Sequence, residues 1–286
     1  TTEQIGILLD QYAQGLEKFG IDPKKATVSP WRYSDPLVCK DLEMIFEKCH
    51  QHGIKIVLTT NAVSFTESKC KMLTKYIETI AQINISIIGY TTEEIKEYMD
   101  INWEVTKARL KMIKDKYQDI SRKMNIGLKH KNQNPDKEEY AKVISKLQEI
   151  TLGKVKVKKN WLENRLVYNK FDDDGINFTI SPNNFVKGCA MVNGKILRRL
   201  EVMVDGTAVL CCDDATKQTN FGNVFDIGIE GVWKNLKEYH NMLYSNQWAE
   251  QKKNMMCNTC SRAKFEWSDD RTRDIIDTNN TYLANR

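Results

Sequence analysis

The sequence predicts an α/β protein. A partial, open barrel of helix–strand repeats spans residues 1–160, and a small hairpin-and-helix extension spans 161–286. Three observations predict this. Amphipathic helices and short apolar strands alternate through the first half, which implies parallel strands joined by crossover helices. The alternation stops after Trp161. Five of the eight cysteines then fall in the last third, among turn signals.

Taken in order, Thr1 or Thr2 caps a first helix, in which Ile5, Leu8, Leu9, Tyr12, Leu16 and Phe19 recur every three or four residues. Gly20 ends it. A strand follows over Thr27–Trp31, then a helix from Asp35-Pro36 through Leu42, Ile45, Phe46 and Cys49 to a stop at Gly53. Ile54–Thr60 is a continuous apolar run, expected of a parallel strand buried on both faces. A helix over Thr66–Ile80 precedes the strand Ile83–Ile88. Thr91-Thr92 with Glu94 opens one long helix through Ile95, Met99, Trp103, Leu110 and Ile113. Met124–Lys129 is a strand, Pro135 starts a helix through Val143, Ile144 and Leu147, and Lys154–Lys158 is a strand with its valines facing one way. Each of these five strands has a helix before it. A crossover helix needs a strand on both sides, so a sixth strand is expected upstream of Thr1.

The composition bounds the function. With 286 residues, 41% of them hydrophobic and 28% charged, the chain can bury a substantial core and is not disordered. No run of about 18 apolar residues occurs, so no membrane helix is expected. The first residues lack the basic and apolar blocks of a secretory signal, which predicts a cytoplasmic protein with reduced or metal-bound thiols. A net charge of +5 suits an anionic substrate and is weak support for nucleic acid as a partner. Cys39, Cys49 and Cys70 sit singly on predicted helices and read as small buried apolar residues.

The last third carries the chemistry. Asp172, Asp173 and Asp174 form a solvated acidic loop, without the downstream glutamate of a calcium-binding loop. Asp205-Gly206 between Ile196–Val204 and Thr207–Cys211 predicts a two-residue hairpin. Phe221-Gly222-Asn223-Val224 is a turn, and Ile229, Val232, Trp233 and Leu236 mark a helix. Cys257-Asn258-Thr259-Cys260 places two thiolates toward one point. With Cys189 before the hairpin and Cys211 at its far end, four thiolates suit a structural zinc or an iron–sulfur cluster. Cys212 is the spare, either a packed side chain or a functional thiol.

These segments resemble the radical S-adenosylmethionine (SAM) superfamily, in particular members with a SPASM or shorter twitch extension. The carriers are Gly188-Cys189, the stretch from Asp205 to Asp214 with its Cys five positions after Gly206, then Phe221-Gly222-Asn223-Val224, Val232-Trp233 and the final CxxC, in the family's order. No cysteine follows Cys260, which resembles the twitch version with one auxiliary cluster. In the first half, Ser34-Asp35-Pro36 takes the place of the family's Gly-Glu-Pro. Thr59-Thr60-Asn61-Ala62 is similar to its Thr-Asn-Gly. The CxxxCxxC that holds the catalytic cluster in this family is not among residues 1–286. It belongs where the sixth strand belongs, so both are expected before Thr1; the alternative is a homologue that has lost the chemistry.

The resemblance implies a partial (β/α)6 TIM-like barrel, a SAM-binding 4Fe–4S cluster with ligands upstream of Thr1, and an auxiliary 4Fe–4S cluster on Cys189, Cys211, Cys257 and Cys260. It implies that Ser34, Asp35, Thr60, Asn61, Ser86 and Asn125 line the SAM site. Asn164-Arg165 matches a substrate-contacting Asn-Arg pair in twitch enzymes such as the dehydrogenase acting on 2-deoxy-scyllo-inosamine; a surface Arg165 pairing with nearby acids is the alternative. The implied reaction is hydrogen-atom abstraction by a 5′-deoxyadenosyl radical, in an oxidation, with a flavodoxin- or ferredoxin-type electron donor and a small-molecule substrate. A peptide maturase or epimerase, with Cys212 as hydrogen donor, and a non-enzymatic zinc- or cluster-stabilised homologue are the other implied classes.

Overall fold

The computed structural model of the chain describes residues 1–30, 34–129, 137–157, 185–189, 200–211, 214, 217–244 and 263–266. The chain divides into two compact units, Thr1–Glu163 and Asn164–Arg286.

The first unit is α/β. Helix α1 (Thr2–Lys18) opens with a capping box between Thr1 and Gln4. Strand β1 (Thr27–Val28), helix α2 (Leu42–Gln51), strand β2 (Lys55–Thr60), helix α3 (Glu67–Lys75) and strand β3 (Ile80–Ile88) follow. Then come α4 (Thr92–Met99), α5 (Trp103–Lys116), α6 (Gln118–Arg122), β4 (Met124–Lys129), α7 (Lys137–Glu149) and β5 (Lys154–Val157). The five strands make one sheet in the order β1-β2-β3-β4-β5, every pair parallel. All five expected strands are present, and sequence order equals spatial order.

The sheet buries one face. Ile56 and Leu58 of β2, Ile83, Ile85 and Ile87 of β3, and Met124, Ile126 and Leu128 of β4 are all fully buried. They belong to one core with Leu9 and Leu16 of α1, Phe46 and Cys49 of α2, Leu73 of α3 and Leu110 of α5. Each such aliphatic side chain contributes about 1.5–3 kcal/mol of transfer free energy. The alternate residues are not in this core: Val57, Gln82, Asn84, Ser86 and Asn125 are half-buried and Thr59 is exposed. The expectation that β2 is buried on both faces is therefore corrected. Its lysine, valine and threonine at positions 55, 57 and 59 face away from the core, as the two-residue period of a strand requires.

Two further expectations change. The long helix from Thr91 is two helices. The capping box of Thr91 and Glu94 is present, but Asp100 takes a left-handed conformation (φ 50°) that ends α4. Asn102 then accepts from the amides of Glu104 and Val105 and caps α5. Aspartate tolerates that conformation, and an Asn cap restarts a helix at once. The single helix expected from Asp35-Pro36 is a 3-10 turn (Pro36–Val38) followed by α2, which leaves Cys39 in the connection rather than on a helix.

The second unit contains β6 (Phe185–Cys189), β7 (Glu201–Val202), β8 (Ala208–Val209), helix α8 (Val224–Tyr244) and β9 (Ala263–Glu266). Strands β6 and β9 pair antiparallel, as do β7 and β8. The hairpin at Asp205-Gly206 is present, but its loop is longer than two residues. The amide of Met203 donates to Thr207 O at 2.8 Å and that of Gly206 to Met203 O at 2.9 Å. This is a three-residue loop with Gly206 in the positive-φ position (φ 86°). Helix α8 is interrupted at Gly228, where φ is 69°.

Candidate functional site

Asp35 ties together the loops after β1 and β2. Its Oδ1 accepts from the amide of Leu37 at 2.9 Å and so caps the Pro36 turn. Its Oδ2 accepts from Thr60 Oγ1 at 2.6 Å and from the amide of Asn61 at 3.1 Å. Thr60, only 3% exposed, also accepts from the amide of Ala62 at 3.0 Å. Asn61 Oδ1 accepts from Val63 N at 3.0 Å, which leaves its NH2 group to other partners. Three of the six candidate SAM-site residues thus form one hydrogen-bonded knot at the carboxyl end of β2. Ser34 is exposed at its margin. Ala62 sits there with φ of 69°.

Ser86 and Asn125 lie on the face of the sheet away from the core. The register runs Thr59, Asn84, Asn125 and Lys154 side by side across four strands, and Ser86 lies beside Gly127 one step further along. Gln82 and Asn84 hydrogen-bond to each other on this face. Among the described strand residues this face carries amides, hydroxyls and lysines beside Val57 and Ile88, and no carboxylate.

In the second unit the hairpin is locked to the start of α8. Asn223 Nδ2 donates to Asp205 O at 2.7 Å, and the amide of Val224 donates to Gly206 O at 2.9 Å. A Cβ at Gly206 would lie 2.5 Å from Asn223 Oδ1 and from the Phe225 ring, so only glycine fits. Lys217 and the amide of Thr207 hold the Asp205 carboxyl down to about 2. In β8, Ala208 exchanges backbone hydrogen bonds with Phe221 and Gly222 at 3.0 and 2.9 Å. Cys211 follows, half-buried, and its carbonyl accepts from the amide of Asp214 at 3.1 Å. Strand β8 ends at Val209, two residues before Cys211.

Cys189 ends β6 directly opposite Ala263 of β9, three residues after Cys260 in the chain. The other candidates, Arg165, Cys212, Cys257 and Cys260, lie outside the described residues. Among the described residues no three Cys, His, Asp or Glu side chains converge. Cys49 and Cys70 are fully buried, and burial pushes their thiols up to about 12 and about 11, which keeps them protonated and inert. Sequence reasoning quoted Asp214 and Asn223 within their motifs but gave them no role. It missed Thr219 altogether.

Residues 179–261 match the SPASM family, an iron–sulfur cluster-binding domain. That match covers 83 of the 286 residues. All four cysteines assigned to the auxiliary cluster lie inside the SPASM match, as do the hairpin and the Phe221-Gly222-Asn223-Val224 turn. Among solved structures, the chain is similar to BtrN in complex with AdoMet and 2-DOIA, at 15% identity over 90% of this chain and 79% of that one, with a TM-score of 0.46. It is also similar to SuiB of Streptococcus suis bound to the precursor peptide SuiA, at 14% identity over 88% of this chain and 62% of that one, with a TM-score of 0.45. No curated protein matches the chain in sequence. No helix among the described residues is long and apolar enough to cross a membrane.

Proposed function

We propose that this chain is part of a radical SAM enzyme that oxidises a polar small molecule, with an auxiliary 4Fe–4S cluster in its SPASM domain. The observation that carries the reading is the SPASM match over Cys189, Cys211, Cys257 and Cys260. The pairing of Cys189 with Ala263 supports it, because it brings the first ligand's strand to the chain segment that follows Cys260. Four thiolates are a donor set that fits such a cluster. Bound together, SAM and its own 4Fe–4S cluster supply hydrogen-atom abstraction, and the auxiliary cluster supplies an acceptor for the second electron of an oxidation.

The chain's own residues bind and orient. A carboxylate offers about four acceptor sites, and Asp35 uses three of them on Leu37, Thr60 and Asn61. The fourth is assigned to the SAM amino group. Ser34 and the Asn61 NH2 join it, and Ser86 and Asn125 take the ribose. The row of Thr59, Asn84, Asn125 and Lys154 supports a hydroxyl-rich or anionic substrate on the same face, since it offers donors and no competing carboxylate. Arg165 orients the substrate hydroxyl, and Cys212 stays outside the cluster. Ligands for the SAM-binding cluster are assigned to residues other than 1–286, the sheet to a partial (β/α)6 barrel, and reduction to a flavodoxin- or ferredoxin-type donor.

The test is SAM binding to the iron-loaded full-length protein, by calorimetry in the absence of oxygen. Binding that weakens in both Asp35→Ala and Asn61→Ala supports the site. Unchanged affinity in both variants refutes it.

A further inference from the structure

We propose that Asp214, acting through Thr219, is the positioning residue for the cluster ligand Cys211. The inference rests on reading Cys211 as a ligand and goes beyond it, by naming what fixes that ligand's backbone.

Asp214 is fully buried and Thr219 is 7% exposed. The carboxylate is filled by its own loop: the amide of Gln218 donates to Oδ1 at 2.8 Å, and the amide of Thr219 donates to Oδ2 at 3.0 Å. Thr219 Oγ1 donates to the same Oδ2. That hydroxyl in turn accepts from the amide of Leu210 at 2.9 Å. The amide of Asp214 donates to Cys211 O at 3.1 Å. Cys211 is therefore bracketed. The amide of the residue before it runs through Thr219 to the buried carboxylate, and its own carbonyl accepts from the backbone amide of that same residue, Asp214.

Each residue type is needed. Aspartate is short enough to fold back on the loop that carries it. A carboxylate accepts everywhere, whereas an asparagine would turn an NH2 toward one of three donors. Only a hydroxyl can accept from Leu210 and donate to Asp214 at the same atom, so serine can replace Thr219 and valine cannot. Groups that orient a metal's ligands typically change metal retention by about 10–100-fold when removed. A cluster's potential also follows the charges and hydrogen bonds around it.

The experiment compares the 286-residue protein with Asp214→Asn, Thr219→Val, Thr219→Ser and Cys211→Ala, all loaded with iron and sulfide without oxygen. Iron release to a chelator, the electron paramagnetic resonance spectrum of the reduced cluster and its midpoint potential are measured, with circular dichroism as the control for folding. Asp214→Asn and Thr219→Val are expected to release iron about 10–100-fold faster, with an altered spectrum. Asp214→Asn is expected to have a higher potential, because a nearby negative charge is gone. Thr219→Ser is expected to match the parent. Parent-like release, spectrum and potential in Thr219→Val would overturn the proposal, and that variant decides alone if Asp214→Asn does not fold. Full, parent-like iron in Cys211→Ala would instead overturn the ligand reading on which the proposal rests.

Discussion

Cys189 stands opposite Ala263 in the antiparallel pair of β6 and β9. Seventy-four residues separate them in sequence, from 189 to 263, so the pairing is a long-range one. It places one candidate ligand beside the segment that follows the CxxC pair, which is what a cluster drawing thiolates from separate segments needs.

Asp35→Ala is expected to act on stability as well as on SAM. The turn at Pro36 loses its cap, which costs about 0.5–2 kcal/mol. The Thr60 hydroxyl loses its acceptor in a buried site, worth about 1–3 kcal/mol. SAM affinity is expected to fall by about 1.5–3 kcal/mol, the range for a hydrogen bond to a charged group. Denaturation and calorimetry on the same variant separate the two effects. A variant as stable as the parent would show that the knot at β2 does not hold the two loops.

Ala62 tests the backbone of that knot. Its positive φ of 69° costs an alanine roughly 1 kcal/mol, which a glycine avoids while losing more chain entropy on folding. Ala62→Gly is therefore expected to change stability by less than about 1 kcal/mol, whereas Ala62→Val, β-branched and in a fully buried position, is expected to lose about 2 kcal/mol or more. Equal stability of the glycine and valine variants in urea denaturation would contradict the left-handed assignment.

Asp10 joins α1 to α2. Lys48 Nζ lies 2.8 Å from its Oδ2, and His52 Nε2 lies 2.8 Å from its Oδ1. The hydrogen bonds from Lys48 first, and from His52 second, hold its carboxyl below the ordinary 3.8. A depressed acid stabilises the fold above its unfolded pKa and loses that contribution as pH falls through the folded one. The pair is partly exposed, so its worth is at most about 1 kcal/mol. Asp10→Asn is expected to be slightly less stable than the parent at pH 6, with the gap closing between about pH 4 and pH 2. A gap that persists at pH 2 in thermal melts would mean that the contact is not electrostatic.

The sheet was legible because its signals are local. Ile83, Ile85 and Ile87 show the two-residue period, and Asp35-Pro36 shows a cap followed by a preset φ. The break at Asp100 was not legible. The apolar period runs straight through Met99 and Trp103, and only the left-handed backbone of one aspartate divides the helix. Asp205-Gly206 announced a hairpin without its loop length, since the same glycine serves a two-residue turn and the end of a three-residue one. The polar face of β2 was hidden by Val57, which made an alternating strand look continuously apolar. The bracket around Cys211 depends on a hydroxyl eight residues away, Thr219, and no short motif records that distance.

In the proposed reading, residues 179–261 hold one 4Fe–4S cluster on Cys189, Cys211, Cys257 and Cys260. The most direct measurement is the metal and acid-labile sulfide content of the anaerobically prepared protein, beside its five single Cys→Ala variants in the last third of the chain. About four irons and four sulfides per chain are expected in the parent and in Cys212→Ala, with loss of that content in each of the other four. Zinc in place of iron, or iron lost from Cys212→Ala and retained in Cys211→Ala, would contradict the account.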